Sequence, residues 1–184
     1  VTPHQGGALF ELDWKPSHFN LTNVLTRREE GYHQHAKSAS HDHSGDAPKT
    51  IHDVVRVKES GLERFLVYDD VPRWSFIDRF YGEDLGLDGF KMRTAKDRGD
   101  FASGDFAVVK VEVDQRGKTG ATLIMERTGR VNDQPVRARK SYHLAMDGGE
   151  LSVKWELTNQ GSATYVLFGT ELNISQLAGK NPPR

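Results

Sequence analysis

Leu151, Val153, Trp155 and Leu157, interleaved with Ser152, Lys154, Glu156 and Thr158, constrain this chain more than any other stretch. Such alternation puts the four large apolar side chains on one side of an extended strand and the hydrophilic ones on the other, a pattern no helix can bury. A strand of this kind needs a sheet beside it and a second layer over its apolar face.

The neighbouring segments repeat the theme. Within Phe106 to Val113, Ala107, Val109, Val111 and Val113 are predicted to share one face, with Lys110 and Glu112 opposite. Ala121 to Val131 and Pro135 to Ala145 flank Asn132 to Gln134, a turn signal, and predict a hairpin. Asp147, Gly148 and Gly149 turn into the strand Glu150 to Thr158. Asn159 to Ser162 turn again into Ala163 to Ser175, where Val166, Phe168, Leu172 and Ile174 make one face. Successive strands with short turns predict an antiparallel meander within a β-sandwich, mainly β with one or two short helices.

The first half is less regular. Gly7 to Asp13 reads as a strand that Trp14, Lys15 and Pro16 end, because proline lacks a ladder donor. From Phe19 onward, Leu21, Val24 and Leu25 stand at i, i+3 and i+4 and predict a short helix. Arg27, Arg28, Glu29 and Glu30 follow as a solvated charged run. Residues 34–49 exchange large apolar groups for Ala, Ser, Gly, Pro and His, and predict a flexible His-rich loop inside a single domain of residues 1–184. His41 and His43 could share a metal ion only if that loop folded around it, and the zinc spacings that use cysteine are absent, so no metal or cofactor is expected. Trp74, Phe76, Ile77 and Phe80 supply an aromatic-rich cluster, and Gly82 to Gly104 a long connection.

Composition narrows the partners. The formal net charge of -1 provides no general attraction to nucleic acid or anionic lipid, and Glu126 and Asp133 offset Arg127, Arg130, Arg137, Arg139 and Lys140. No apolar run reaches membrane-spanning length, and the absence of cysteine fits a reducing cytoplasm. Phosphate-cradling glycine loops, nucleophile elbows and zinc-protease helices are also missing from the sequence.

Two sets of side chains invite chemistry. Trp14, Trp74 and Tyr81 are candidate sugar platforms, because aromatic faces stack on the C–H-rich faces of pyranose rings; the competing role for each is core packing. His143 on the hairpin and Glu171 on the last strand would meet if their polar faces lay on the same side of one sheet, forming an acid–base pair suited to opening a sugar ring. The competing reading there is a satisfied Glu–Asn network that braces the sheet.

Six motifs in fixed order point to a family: F-E-L-D at 10 to 13, N-L-x-N-x-L-T-R-R-x-E-x-Y-H at 20 to 33, I-H-D at 51 to 53, G-L-E-R-F-L-V-Y-D-D at 61 to 70, S-F-I-D-R-F at 75 to 80 and F-G-T-E-L-N-I-S at 168 to 175. The chain resembles the C-terminal β-sandwich region of the family 57 glycoside hydrolases, the 4-α-glucanotransferases and α-amylase-like enzymes acting on α-1,4-glucans. The resemblance implies a galactose-mutarotase-like sandwich. It also implies that the nucleophilic Glu and the acid/base Asp belong to an N-terminal barrel that these residues do not include. The expected role is a noncatalytic accessory domain of a longer enzyme, packed on that barrel and able to help bind an α-glucan or malto-oligosaccharide. Arg27, Arg28, Glu30, Tyr32 and His33 are its candidate docking residues. An independent carbohydrate-binding module is the second role, and a mutarotase-like epimerase using His143 and Glu171 the third.

Overall fold

The computed structural model of the protein describes residues 1–34, 65–114, 120–146 and 149–175. The chain divides into two compact units, Val1–Leu25 with Arg73–Arg184, and Thr26–Pro72. The β-sandwich belongs to the first.

Its larger sheet is the meander read from the alternation. Strands β4 (Ala107–Val113), β5 (Ala121–Val131), β6 (Gln134–Leu144) and β7 (Leu151–Asn159) lie side by side in that order, every pair antiparallel. The β5–β6 turn is tighter than expected: Asn132 and Asp133 alone close it, with φ of 48° and 61°. Asn and Asp tolerate the left-handed region that a two-residue hairpin turn demands. On β6, Val136, Ala138, Lys140 and Tyr142 are buried, while Arg137, Arg139, Ser141 and His143 face outward. On β7 the apolar row of Leu151, Val153, Trp155 and Leu157 pairs with that inner face, as predicted.

The face assignment of β4 needs correction. A bulge between Val108 and Lys110 shifts its register, so Val108, Val111 and Val113 pair with the inner residues Met125, Leu123 and Ala121, and Ala107 joins Lys110 and Glu112 on the other side. One extra residue breaks the period of two, and no sequence count locates it.

The smaller sheet contains two strands, β3 (Ile77–Tyr81) and β8 (Leu167–Glu171), with Ile77 opposite Glu171 and Tyr81 opposite Leu167. The last strand therefore leaves the meander. Phe168 explains why: its ring sits 5.3 Å from Phe80 and 6.3 Å from Trp155, closing the sandwich from the opposite layer. Leu9, Phe80, Phe101, Phe106, Met125, Val131, Val136, Ala138 and Tyr142 fill the space between the layers.

Two expectations for the first half also change. Gly7 to Asp13 makes only isolated bridges, Thr2 with Ala8 and Leu9 with Ser75, before the short strand β1 (Asp13–Trp14). The helix predicted from Phe19 does not form; Phe19–Asn20 is a strand, β2, that pairs with β1 across a 3-10 turn at Lys15–Ser17. Asn20 decides this. Its Oδ1 accepts from the Leu12 amide (3.1 Å), the Thr22 amide (2.9 Å) and the Thr22 hydroxyl (2.8 Å), bonds that hold the backbone out of a helix. Leu25, placed with Leu21 and Val24 on the apolar stripe of that helix, is 85% exposed. The stretch Gly82 to Gly104 is a connection interrupted by one helical turn, α1 (Leu87–Lys91). No helix among the described residues is long and apolar enough to cross a membrane.

Candidate functional site

Three of the sequence motifs converge where the ends of β3 and β8 meet the N-terminal segment. Phe76 donates its amide to the Glu171 carbonyl, and Ser175 donates its amide to the Leu21 carbonyl. Ser75 Oγ donates to the Asn173 carbonyl at 2.6 Å and accepts from the Asn173 amide. The Asn173 side chain accepts from Arg73 Nη2 at 3.1 Å and donates to the Trp74 carbonyl at 2.8 Å. On the outer face of the same two strands, Glu171 Oε1 receives Arg79 Nε at 2.8 Å and Arg93 Nη1 at 2.9 Å, and Asp97 takes a second nitrogen of Arg79. The bracing network foreseen for Glu171 and Asn173 is present as two networks. Arginines, invisible as partners in the sequence, satisfy both.

A third polar group is sealed between the layers. Lys140 is fully buried, and its ammonium donates to the Gly6 carbonyl (2.9 Å) and the Phe76 carbonyl (2.8 Å) while lying 2.8 Å from Asp78 Oδ2. That last contact is a buried ion pair. The other Asp78 oxygen accepts from Trp155 Nε1 at 2.8 Å, and the Tyr142 hydroxyl donates to the Gly7 carbonyl at 2.7 Å. Burial pushes the Asp78 carboxyl up and the Lys140 ammonium down, each opposed by the charge of the other. Gly6, at φ 66°, brings its carbonyl to this site in a conformation other residues rarely adopt, and a Cβ there would meet the Ala102 carbonyl oxygen at 2.5 Å. The position of Lys140, in phase with Ala138 and Tyr142, was the available sign that it did not belong to the surface arginine cluster.

None of these groups is arranged as a pair of catalytic carboxyls. Asp69, Asp78, Asp97 and Glu171 are each held by a cation: Arg27, Lys140, Arg79, and Arg79 with Arg93. Glycoside cleavage needs two carboxyl groups across an open cleft, one of them free to deliver a proton. Asp78, whose carboxyl is raised, is shut away from any sugar.

The predicted pair of His143 and Glu171 is not brought together. His143 lies on the outer face of β6, with Nδ1 3.0 Å from Thr122 Oγ1, whereas Glu171 lies on the outer face of the other sheet. The premise of one sheet fails because β8 crosses to the second layer.

The three aromatic candidates separate by burial. Trp14 is 51% exposed beside the β1–β2 turn, and Trp74 is half-buried with its ring 6.0 Å from Phe10. Tyr81 is only 8% exposed and meets Phe90 edge-on, so it offers no open face for a sugar.

In the second unit, Arg27 grips Asp69 with its amide, Nε and Nη2, the last at 2.6 Å. His33 Nδ1 accepts from the Glu30 amide at 3.0 Å and lies 3.1 Å from the Tyr68 hydroxyl. Arg28, Glu30 and Tyr32 are exposed. His41 and His43 lie outside the described residues, among which no group of three or more His, Cys, Asp or Glu could hold a metal.

Comparison with known proteins gives one consistent result. A family model described as "Alpha-amylase/4-alpha-glucanotransferase, C-terminal" matches residues 1–184. A 4-alpha-glucanotransferase of Thermococcus kodakarensis is 33% identical over 94% of this chain and 24% of its own length. An alpha-amylase of Pyrococcus abyssi is 31% identical over 100% of this chain and 26% of its own. The crystal structure of the 4-alpha-glucanotransferase from Thermococcus litoralis superimposes with a TM-score of 0.69, at 26% identity, over 95% of this chain and 24% of that one. The chain thus spans about a quarter of the length of the relatives it matches.

Proposed function

The chain belongs to the C-terminal domain family of α-amylases and 4-α-glucanotransferases, and from this membership we propose that it serves as a noncatalytic accessory domain of an α-1,4-glucan-processing enzyme. One observation carries the reading: the family match fills the whole chain, yet the same residues account for about a quarter of each relative. The cation-held carboxylates fit a domain whose partner performs the chemistry. In this reading the partner is a catalytic barrel of the same polypeptide, of the family 57 glycoside hydrolase kind.

Arg27, Arg28, Glu30, Tyr32 and His33 are proposed to meet that barrel. Arg28 and Tyr32 give the clean test, because both are exposed while Arg27 also braces Asp69. In the parent enzyme, Arg28→Ala with Tyr32→Ala is expected to lower the unfolding temperature of the domain and its activity together. Unchanged values of both would remove these residues from the docking surface.

A second reading, direct glucan binding, is favoured by the half-exposed ring of Trp14, with Trp74 beside Phe10 as a further surface. Titrating the chain with a long malto-oligosaccharide while following tryptophan fluorescence tests it. Saturable quenching lost in Trp14→Ala supports binding, and no response at millimolar sugar rejects it.

A further inference from the structure

The connection that follows β3 is fastened at its ends and loose along its length. Where it returns to that strand, Arg98 donates its amide to the Phe80 carbonyl at 2.6 Å, and Asp97 Oδ1 accepts from the Phe80 amide at 3.1 Å. The stretch 82–97 is therefore a compact loop whose two ends lie side by side. Between them the backbone turns in on itself: Phe90, Met92, Arg93, Thr94 and Ala95 donate their amides to carbonyls between Gly86 and Phe90. No residue from Gly82 to Lys96 is buried, and the apolar Leu87 and Met92 are 68% and 43% exposed. Internal hydrogen bonds with little apolar burial mark a stretch that can open without the rest of the fold.

Two of its side chains reach the outer face of the narrow sheet. The Phe90 ring meets Tyr81 edge-on at 6.3 Å, and Arg93 Nη1 lies 2.9 Å from Glu171 Oε1, the oxygen that Arg79 Nε also holds. Arg79 and Tyr81 are both buried on that face. Arg93 makes its contact from a conformation that arginine rarely takes. At the end of α1 the Thr94 amide donates to the Gly89 carbonyl at 2.9 Å and the Arg93 amide to the Phe90 carbonyl at 3.2 Å, and Arg93, at φ 56°, is the left-handed residue that closes the helix. Glycine is the ordinary occupant of that position, because a Cβ is strained there. The turn itself has no need of a guanidinium. Strain kept at a side chain that bridges to another element points to a task for that side chain.

We propose that residues 83–96 form a strap that opens as a unit, and that Arg93, by pairing with Glu171, is the latch that keeps it shut over Tyr81 and Arg79. Opening uncovers an aromatic ring beside a guanidinium and a carboxylate, a face that the closed strap withholds from solution.

Arg93→Gly tests the latch, because it relieves the left-handed strain and removes the guanidinium together. Strain relief alone would tighten the strap; loss of the latch would loosen it. Hydrogen–deuterium exchange of the 184-residue chain and of this variant distinguishes the two. Expected is exchange of the 90–95 amides faster by at least an order of magnitude in the variant, with the β6 amides unchanged and nitration of Tyr81 by tetranitromethane increased in parallel. Equal or slower exchange at 90–95 would overturn the proposal, leaving Arg93 a strained cap and nothing more. Equal acceleration in β6 would overturn the strap as a separate unit. Arg93→Asn accepts the left-handed region without the extra freedom of glycine and should match Arg93→Gly. An unaltered rate in Arg93→Asn would assign the acceleration to chain flexibility and overturn the latch.

Discussion

Lys140 and Asp78 carry the largest single-residue consequence. Lys140→Met would leave the Asp78 carboxylate buried without a cation and is expected to cost about 3–5 kcal/mol in urea unfolding. Lys140→Met combined with Asp78→Leu should cost less than the single change, because no uncompensated charge remains; a double variant that is the less stable of the two would contradict this account. Tyr142, together with Tyr81, shapes the alkaline behaviour. Burial, followed by the nearby Asp78 charge, raises the Tyr142 phenol far above the ordinary 10.0. Above that value the unfolded chain releases a proton that the folded chain keeps, so stability falls as pH rises. The lowered Lys140 ammonium acts in the opposite sense, and only up to its ordinary 10.5. Between about pH 10.5 and 12, Tyr142→Phe should therefore flatten the decline by up to about 1.4 kcal/mol per pH unit, seen by denaturant titration at several pH values.

At the scale of elements, the β5–β6 turn gives a prediction of the opposite sign. Asp133 sits at φ 61°, so Asp133→Gly would produce the Asn-Gly pair that this turn type prefers and should stabilise the chain by about 0.5–1 kcal/mol in thermal unfolding. Elements with strict alternation were legible from the sequence: β6 and β7 appear where Arg137, Tyr142 and Trp155 put them, and β5 fills the first arm of the predicted hairpin. Elements decided by one local event were not. The bulge at Val108 inverted the face of half of β4, and the three hydrogen bonds of Asn20 replaced the expected helix with a hairpin. The crossing of β8 was hidden for another reason. Phe168 is apolar in either sheet, and only its partners Phe80 and Trp155 distinguish them. The candidate site was legible as motif residues and illegible as contacts: Ser75, Arg79, Glu171 and Asn173 stand in two motifs nearly a hundred positions apart, and pattern alone does not pair them.

For the whole molecule, the features form one account. A wide sheet and a narrow one enclose a core in which the buried Lys140 is matched by Asp78. Glycoside cleavage needs an accessible pair of carboxyls, and among the described residues Asp69, Asp78, Asp97 and Glu171 serve as ion-pair partners. The central proposal is that residues 1–184 serve as a structural domain of a glucan-processing enzyme whose chemistry lies elsewhere in the polypeptide. Its most direct test is prolonged incubation of the 184-residue chain with a malto-oligosaccharide of single length, followed by mass analysis of the products. The account predicts one unchanged length. Shorter or redistributed lengths that disappear in Glu171→Gln would contradict it.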